Sequence, residues 1–210
     1  MNTKELATTI VFAALTVALN PGVVPATGVP APYAPFLIYG LWEIPIVAAF
    51  ILISPASGIL ISLLNAAVLF AFFPGPLPTG PFYNLIALFS MLLGLYIARR
   101  FINREGAHQQ KVIKIAAAST ILGIVLRVVV MTLMNYVTLR QPYPLGFQFN
   151  ELEILAFLPA GALFNGTIVL YTIPMGEFIA NVVKSRLKIK TETGKPNQNS
   201  NSKLFSEKEN

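Results

Sequence analysis

Six stretches of this chain, at about 5–20, 36–53, 57–73, 82–99, 112–139 and 154–183, are long, apolar and nearly free of charge. A helix needs about twenty mainly apolar residues to cross a bilayer, fewer where flanking side chains snorkel, so each stretch is expected to span a membrane. In hydrocarbon, every backbone N–H and C=O must find a partner within the protein, which favours helices for spans of this length. Only 11% of the 210 residues are charged, far below the share that keeps a soluble domain's surface wet. The expected fold class is therefore all-α integral membrane, a six-transmembrane-helix bundle. Residues 1–190 should form the membrane domain, and the polar, repetitive stretch 191–210 a disordered tail.

The connections set the orientation. Between the first two stretches, 21–35 carries five prolines and cannot be a regular helix. It holds no charge, and neither does 74–81; the connection 140–153 sets Arg140 against Glu151 and Glu153. The other side is basic: Lys4, then Arg99, Arg100, Arg104, Lys111 and Lys114, then Lys184, Arg186, Lys188 and Lys190. Short cytoplasmic loops collect Lys and Arg, so both termini and the 100–111 loop are expected in the cytoplasm, with the chain multi-pass in the cell membrane. A cleaved leader over 1–28 is the alternative, and would leave five spans. Topology and the lipid bilayer account for the net charge of +6 without a nucleic-acid partner.

Composition excludes several chemistries. With no cysteine and one histidine, His108, there is no basis for a disulfide framework, a metal centre or a triad. No catalytic residue and no metal ligand is expected. An intramembrane enzyme would need paired carboxylates, paired His or a Ser–Lys arrangement, and a Glu–Arg pair is a thin substitute. A channel would carry a polar stripe through the full depth of the bilayer, whereas the ionisable residues here, Glu177 aside, stop near the middle.

Polar groups retained inside a membrane are functional candidates. At ~1.5 Å per residue from the outer ends of the stretches, Asn135 lies about 6 Å deep, Glu43 about 10 Å, Asn165 about 16 Å and Arg127 about 18 Å, which suggests a pocket open to the outside. Arg127, Met131 and Asn135 follow i, i+4, i+8 and should share one helix face. Phe36, Tyr39 and Glu43, at i, i+3, i+7, would form an aromatic face on the second helix. Aromatic stacking and the amides of Asn135 and Asn165 suit a flat, hydrogen-bonding ligand. Structural alternatives stand beside each: Glu43 and Arg127 as a neutralising pair, the asparagines as interhelical bonds, the aromatics as an interfacial belt, and Glu177 as an anchor near Lys184. Ala7, Ala14 and Ala18 lie on one face of the first helix, suited to internal packing or to docking another helix.

Several of these segments resemble the substrate-binding S-components of energy-coupling-factor (ECF) vitamin transporters, over most of residues 5–186. EIPIVAAFILISPASGILISLL is similar to the family's acid-Ile-Pro, apolar run and Pro-x-x-Gly. LRVVVMTLMNYVTL and LFNGTIVLY resemble the Arg…Met-Thr…Asn-Tyr and Phe-Asn motifs of the riboflavin branch, and Ala14 and Ala18 resemble the alanine pair that engages the T-component. The resemblance implies riboflavin as the leading substrate, contacts from Asn135 and Asn165, and a first loop that acts as a lid. It further implies partnership with a transmembrane T-component and two ATPase subunits, since this chain has no phosphate-binding GxxxxGK[ST] loop of its own. One position departs: the branch's lysine three residues after Asn165 is Ile168 here, which leaves thiamine, biotin or another cofactor precursor as alternatives.

Overall fold

The computed structural model describes residues 3–73, 75, 77–102 and 110–192. Six helices carry the architecture: α1 (Thr3–Ala18), α2 (Glu43–Leu52), α3 (Pro55–Phe72), α4 (Gly80–Ile102), α5 (Gln110–Thr138) and α6 (Glu151–Glu192). Four of them, α3 to α6, are long and apolar enough to cross a membrane. Between α1 and α2 the chain makes one short 3-10 turn, Pro25–Thr27, and a two-stranded antiparallel hairpin, β1 (Val29–Ala31) and β2 (Ala34–Tyr39).

That hairpin corrects the expected second span. Residues 36–42 do not extend the helix: β2 ends at Tyr39 and α2 starts at Glu43. Phe36, Tyr39 and Glu43 therefore share no helical face. A short apolar run such as Phe36-Leu37-Ile38-Tyr39 fits a strand or a helix equally by hydrophobicity, and its β-branched and aromatic content favours the strand when a partner is near. Val29 and Pro30 supply that partner, opposite Tyr39 and Ile38. The ten residues of α2 rise only ~15 Å, about half of a hydrocarbon core. A helix of 16 residues, α1, reaches ~24 Å. The 42 residues of α6 rise ~63 Å, twice the hydrocarbon thickness. Helix α6 also runs through Thr191 and Glu192, the first residues of the expected tail, while 193–210 and the loop residues Arg104 and His108 lie outside the described residues.

Local sequence explains the tight turn into α3. Ser54 is extended and its hydroxyl accepts from the Ser57 N–H at 3.2 Å, with Pro55 at the first helical position, where its missing N–H costs nothing. The core gathers Ile46, Val47, Ala49 and Phe50 of α2 against Ile61, Leu88, Met91, Leu95, Val169 and Ile173. Two glycines bring α4, α5 and α6 together. A Cβ on Gly94 would lie 2.7 Å from Gly123 Cα, and one on Gly123 would lie 2.7 Å from Ile173 Cδ1, so backbone meets backbone as in other small-residue crossings.

Candidate ligand-binding site

The first residue of α2 is buried. Glu43 is 2% exposed and meets Arg127 of α5, itself 3% exposed. Arg127 Nη2 donates to Glu43 Oε1 at 2.9 Å, and Nη1 donates to Oε2, so the pair is bidentate. The guanidinium's Nε donates to Asn165 Oδ1 at 3.0 Å, and Nη1 also approaches Met91 Sδ at 3.8 Å. Asn165 Nδ2 donates to the Gly161 carbonyl at 2.9 Å. A bidentate Arg–carboxylate pair with further hydrogen bonds offsets part of the cost of burying two charges. Three of the four polar candidates thus converge, and the reading of Glu43 and Arg127 as a structural pair describes their contacts. Asn165 is committed as well, with its oxygen and one N–H both engaged.

Asn135 stands apart. Two turns up the same stripe from Arg127, past the buried Met131, its side-chain amide makes no hydrogen bond to another described residue. It faces a hollow of about 480 Å³ bounded by Phe36, Leu37, Tyr83, Phe147 and Phe157. This hollow adjoins a second, of about 390 Å³, through Phe36, Leu37, Leu77 and Phe147. Glu43 and Arg127 border the second hollow, with Ile168 and Phe164 of α6, Asn84 of α4 and Trp42. Each hollow lies within the size range of small-molecule sites. Ile168 makes that part of the wall apolar, where a lysine would have placed a charge.

The hairpin roofs this region and is strapped to α6. Phe36 stacks on Phe157 with centroids 5.9 Å apart, and Tyr39 packs on Phe164 at 4.8 Å. Thr167 Oγ1 donates to the carbonyls of Leu163 and Phe164, both at 2.9 Å. Its proton is therefore spent, so the Tyr39 hydroxyl donates to it at 2.6 Å, and Tyr33 in turn donates to Tyr39 at 2.6 Å. The Tyr171 hydroxyl donates to the Gly40 carbonyl at 2.7 Å, fixing the other end. Phe157, Phe164 and Tyr171 recur at seven-residue spacing, which keeps them on one side of α6. In the loop, partial burial and the hydrogen bond to Tyr39 push the Tyr33 phenol above its ordinary value.

Some site residues carried no periodic signal. Trp42 sits at the start of α2 and Phe147 in the loop between α5 and α6, where spacing says nothing about direction, and Asn84 lies in the second turn of α4 with no other polar residue of that helix at helical spacing to mark its face. Asn65 finds its partner in Asn20, whose Nδ2 donates to Asn65 Oδ1 at 3.2 Å. Glu177 pairs with Arg99 at 3.4 Å. On α1, Ala7, Ala14 and Ala18 are exposed, as are Leu6, Ile10, Val11 and Leu15; Thr9 and Thr16 face inward instead. Among the described residues no group of three or more His, Cys, Asp or Glu side chains is placed to hold a metal ion.

The sequence matches no protein-family model and no curated protein. The fold is similar to the solved structure of the S component of a bacterial ECF transporter, with a TM-score of 0.64 at 20% identity, over 91% of this chain and 99% of that one.

Proposed function

We propose that this chain is the substrate-binding S-component of an ECF-type transporter, which captures a vitamin from outside the cell, with riboflavin the leading substrate. The observation that carries the reading is the amide of Asn135, which has no hydrogen-bond partner among the described residues and faces a hollow of about 480 Å³ beneath an aromatic hairpin. An amide with free donors and acceptor beside aromatic rings suits the polar edge and flat face of a heterocycle. Arg127, Glu43 and Asn165 act below it as a rigid polar floor. Met131 continues the stripe between Arg127 and Asn135, and Phe36 and Tyr39 close over the ligand from the hairpin. The shared fold and the motif resemblance support the same reading.

In this mechanism the hairpin is a lid. The loaded subunit docks through Ala14 and Ala18 on a transmembrane T-component that carries two ATPase subunits, reorients in the bilayer and releases its ligand inside. The chain performs no chemical step and needs no cofactor of its own. The basic residues mark the cytoplasmic end, with both termini there. Since the chain has no cysteine, single replacements report cleanly. Val29→Cys and Tyr143→Cys should react with an impermeant thiol reagent in intact cells and Arg186→Cys should not; the reverse pattern would invert the orientation.

A second reading keeps the class and changes the vitamin. Ile168 lines the adjoining hollow of about 390 Å³ where the riboflavin branch has lysine, which favours a ligand, such as thiamine or biotin, that asks for no cation there. One experiment separates the two. The purified protein is denatured, and the small molecules it releases are identified by mass spectrometry beside a flavin absorbance scan. Recovery of a flavin supports the first reading and of another vitamin the second. No bound molecule, together with no heat on titration of any of the three vitamins, rejects both.

A further inference from the structure

The two hollows beneath the hairpin are walled by parts of the chain in which formal charge is almost absent. Glu43 is the only charged residue between Glu5 and Arg99, Arg127 the only one between Lys114 and Arg140, and none stands between Glu153 and Glu177. Glu43 and Arg127 cancel one another. Both carboxylate oxygens accept from the guanidinium, whose Nε is held by Asn165. The charges of the connection between α5 and α6, Arg140, Glu151 and Glu153, are exposed and line neither hollow. Arg140 pairs with Glu151 at 3.2 Å, and Glu153 accepts from the Asn150 N–H at 2.8 Å.

Most neutral polar groups of the walls are occupied as well. Thr138 Oγ1 donates to the Met134 carbonyl and the Tyr83 hydroxyl to the Leu145 carbonyl. Asn20 donates to Asn65 and accepts from the Gly22 N–H. The side-chain amides of Asn135 and Asn84, one in each hollow, make no hydrogen bond to another described residue. An amide offers a donor and an acceptor but no charge. An ion drawn beneath the hairpin would shed water and meet no free countercharge, which is costly. To pair with Arg127, an anion would have to displace Glu43 and leave that carboxylate buried alone. An uncharged heterocycle meets matching donors and acceptors beside aromatic faces instead.

We propose that the site selects its ligand by electroneutrality: it admits an uncharged, hydrogen-bonding ring compound and turns away anionic and cationic relatives, phosphate esters included. The inference rests on the reading of these hollows as the ligand site. Riboflavin is uncharged at neutral pH, whereas thiamine is a cation and biotin a carboxylate, so charge alone separates the three.

The test is calorimetric titration of the full purified chain at neutral pH with compounds that differ in charge. Riboflavin is set against its phosphate monoester and biotinamide against biotin, with thiamine beside them. The uncharged member of whichever pair binds should bind at least about tenfold more tightly, because the charged one loses water without gaining a partner. Thiamine should give no heat. Asn84→Lys, at an exposed position of α4, adds a cation to the wall without replacing either member of the Glu43–Arg127 pair. It should shift the ratio of the two affinities toward the anionic member by about tenfold, and Asn84→Asp should shift it the other way. The ratio cancels whatever loss of the amide does to both members alike, and a thermal melt shows that each variant is folded. Equal or tighter binding of the charged member, or binding of thiamine, overturns the proposal and leaves the transporter reading in place. An unchanged ratio in the folded variants also overturns it. No heat from any of these compounds overturns the proposal together with the reading on which it rests.

Discussion

At the scale of single residues, spacing along one helix was enough to bring Arg127, Met131 and Asn135 onto one face, but not to say which of them are spent. Asn165 and Asn135 looked equivalent as buried amides. The structure separates them: Asn165 ties Arg127 Nε to the Gly161 carbonyl, whereas the Asn135 amide turns to the hollow. Partners on other helices decide such a question, and no one-dimensional pattern encodes them. Asn135→Leu should weaken vitamin binding by about ten- to a hundredfold, the loss of one or two buried hydrogen bonds, and leave the melting temperature in detergent unchanged. Asn165→Leu should lower both. Calorimetric titration beside a thermal melt reads the difference, and unchanged affinity in Asn135→Leu would remove that residue from the site. Removing one member of a buried ion pair leaves the other uncompensated, at a cost of about 3–5 kcal/mol. Arg127→Met should therefore melt well below the native protein, and the double variant Glu43→Leu/Arg127→Met should recover much of the loss. Equal melting of the single and double variants would mean that Glu43 does not depend on Arg127.

At the scale of elements, the long apolar helices α3 to α6 were legible because twenty-residue hydrophobic runs have few other solutions. Pro21 to Pro35 was legible as non-helical for the opposite reason, since each proline removes a donor. The hairpin strand was not legible. Phe36 to Tyr39 is apolar and continuous with α2 in sequence, and only its pairing with Val29 and Pro30 makes it a strand. The shortening of α2 that follows leaves room for the hollow and brings Glu43 to the level of Arg127. The tyrosine chain that holds the hairpin gives a dynamic prediction. Tyr39→Phe deletes the bond to Thr167 and should speed ligand release several-fold, about the worth of one net hydrogen bond; an unaltered release rate in stopped flow would mean the hairpin is not the lid. Tyr33 gives this strap a pH limit. Its pKa is raised in the folded state, so the neutral phenol is the favoured form. The stability it adds is complete below its ordinary value near 10 and is lost as pH climbs through the raised one. The sole tryptophan, Trp42, borders the adjoining second hollow, and its emission should change at alkaline pH in the native protein and less in Tyr33→Phe. An identical alkaline profile in the two would detach Tyr33 from the closure.

At the scale of the whole molecule, the charge pattern of the loops separates one end of the bundle from the other, because Lys and Arg stay on the side where the chain is made. Helix α1 shows the limit of such reading. Its alanines fit both internal packing and docking, since either needs small side chains where helices approach. What distinguishes them is direction. Thr9 and Thr16 face inward, with Thr9 Oγ1 donating to Ser57 Oγ of α3 at 3.2 Å, and Ala7, Ala14 and Ala18 are left on the exposed side. Exposed leucine is already accepted on that side at Leu6 and Leu15, which are 45% and 46% exposed. A leucine at Ala14 or Ala18 should therefore leave the bundle intact, while a helix pressed against those positions would meet extra bulk at a cost of about 1–3 kcal/mol per site. Ala14→Leu/Ala18→Leu should bind its vitamin with native affinity and melt at the native temperature, yet lose most of its co-purification with a T-component and its uptake in cells, by tenfold or more on the energies above. If the variant instead loses ligand affinity and thermal stability together, the stripe packs internally and α1 is not the docking face. Native uptake with the native complex retained would place the interface on another helix, and the exposed apolar side of α1 would then face lipid alone.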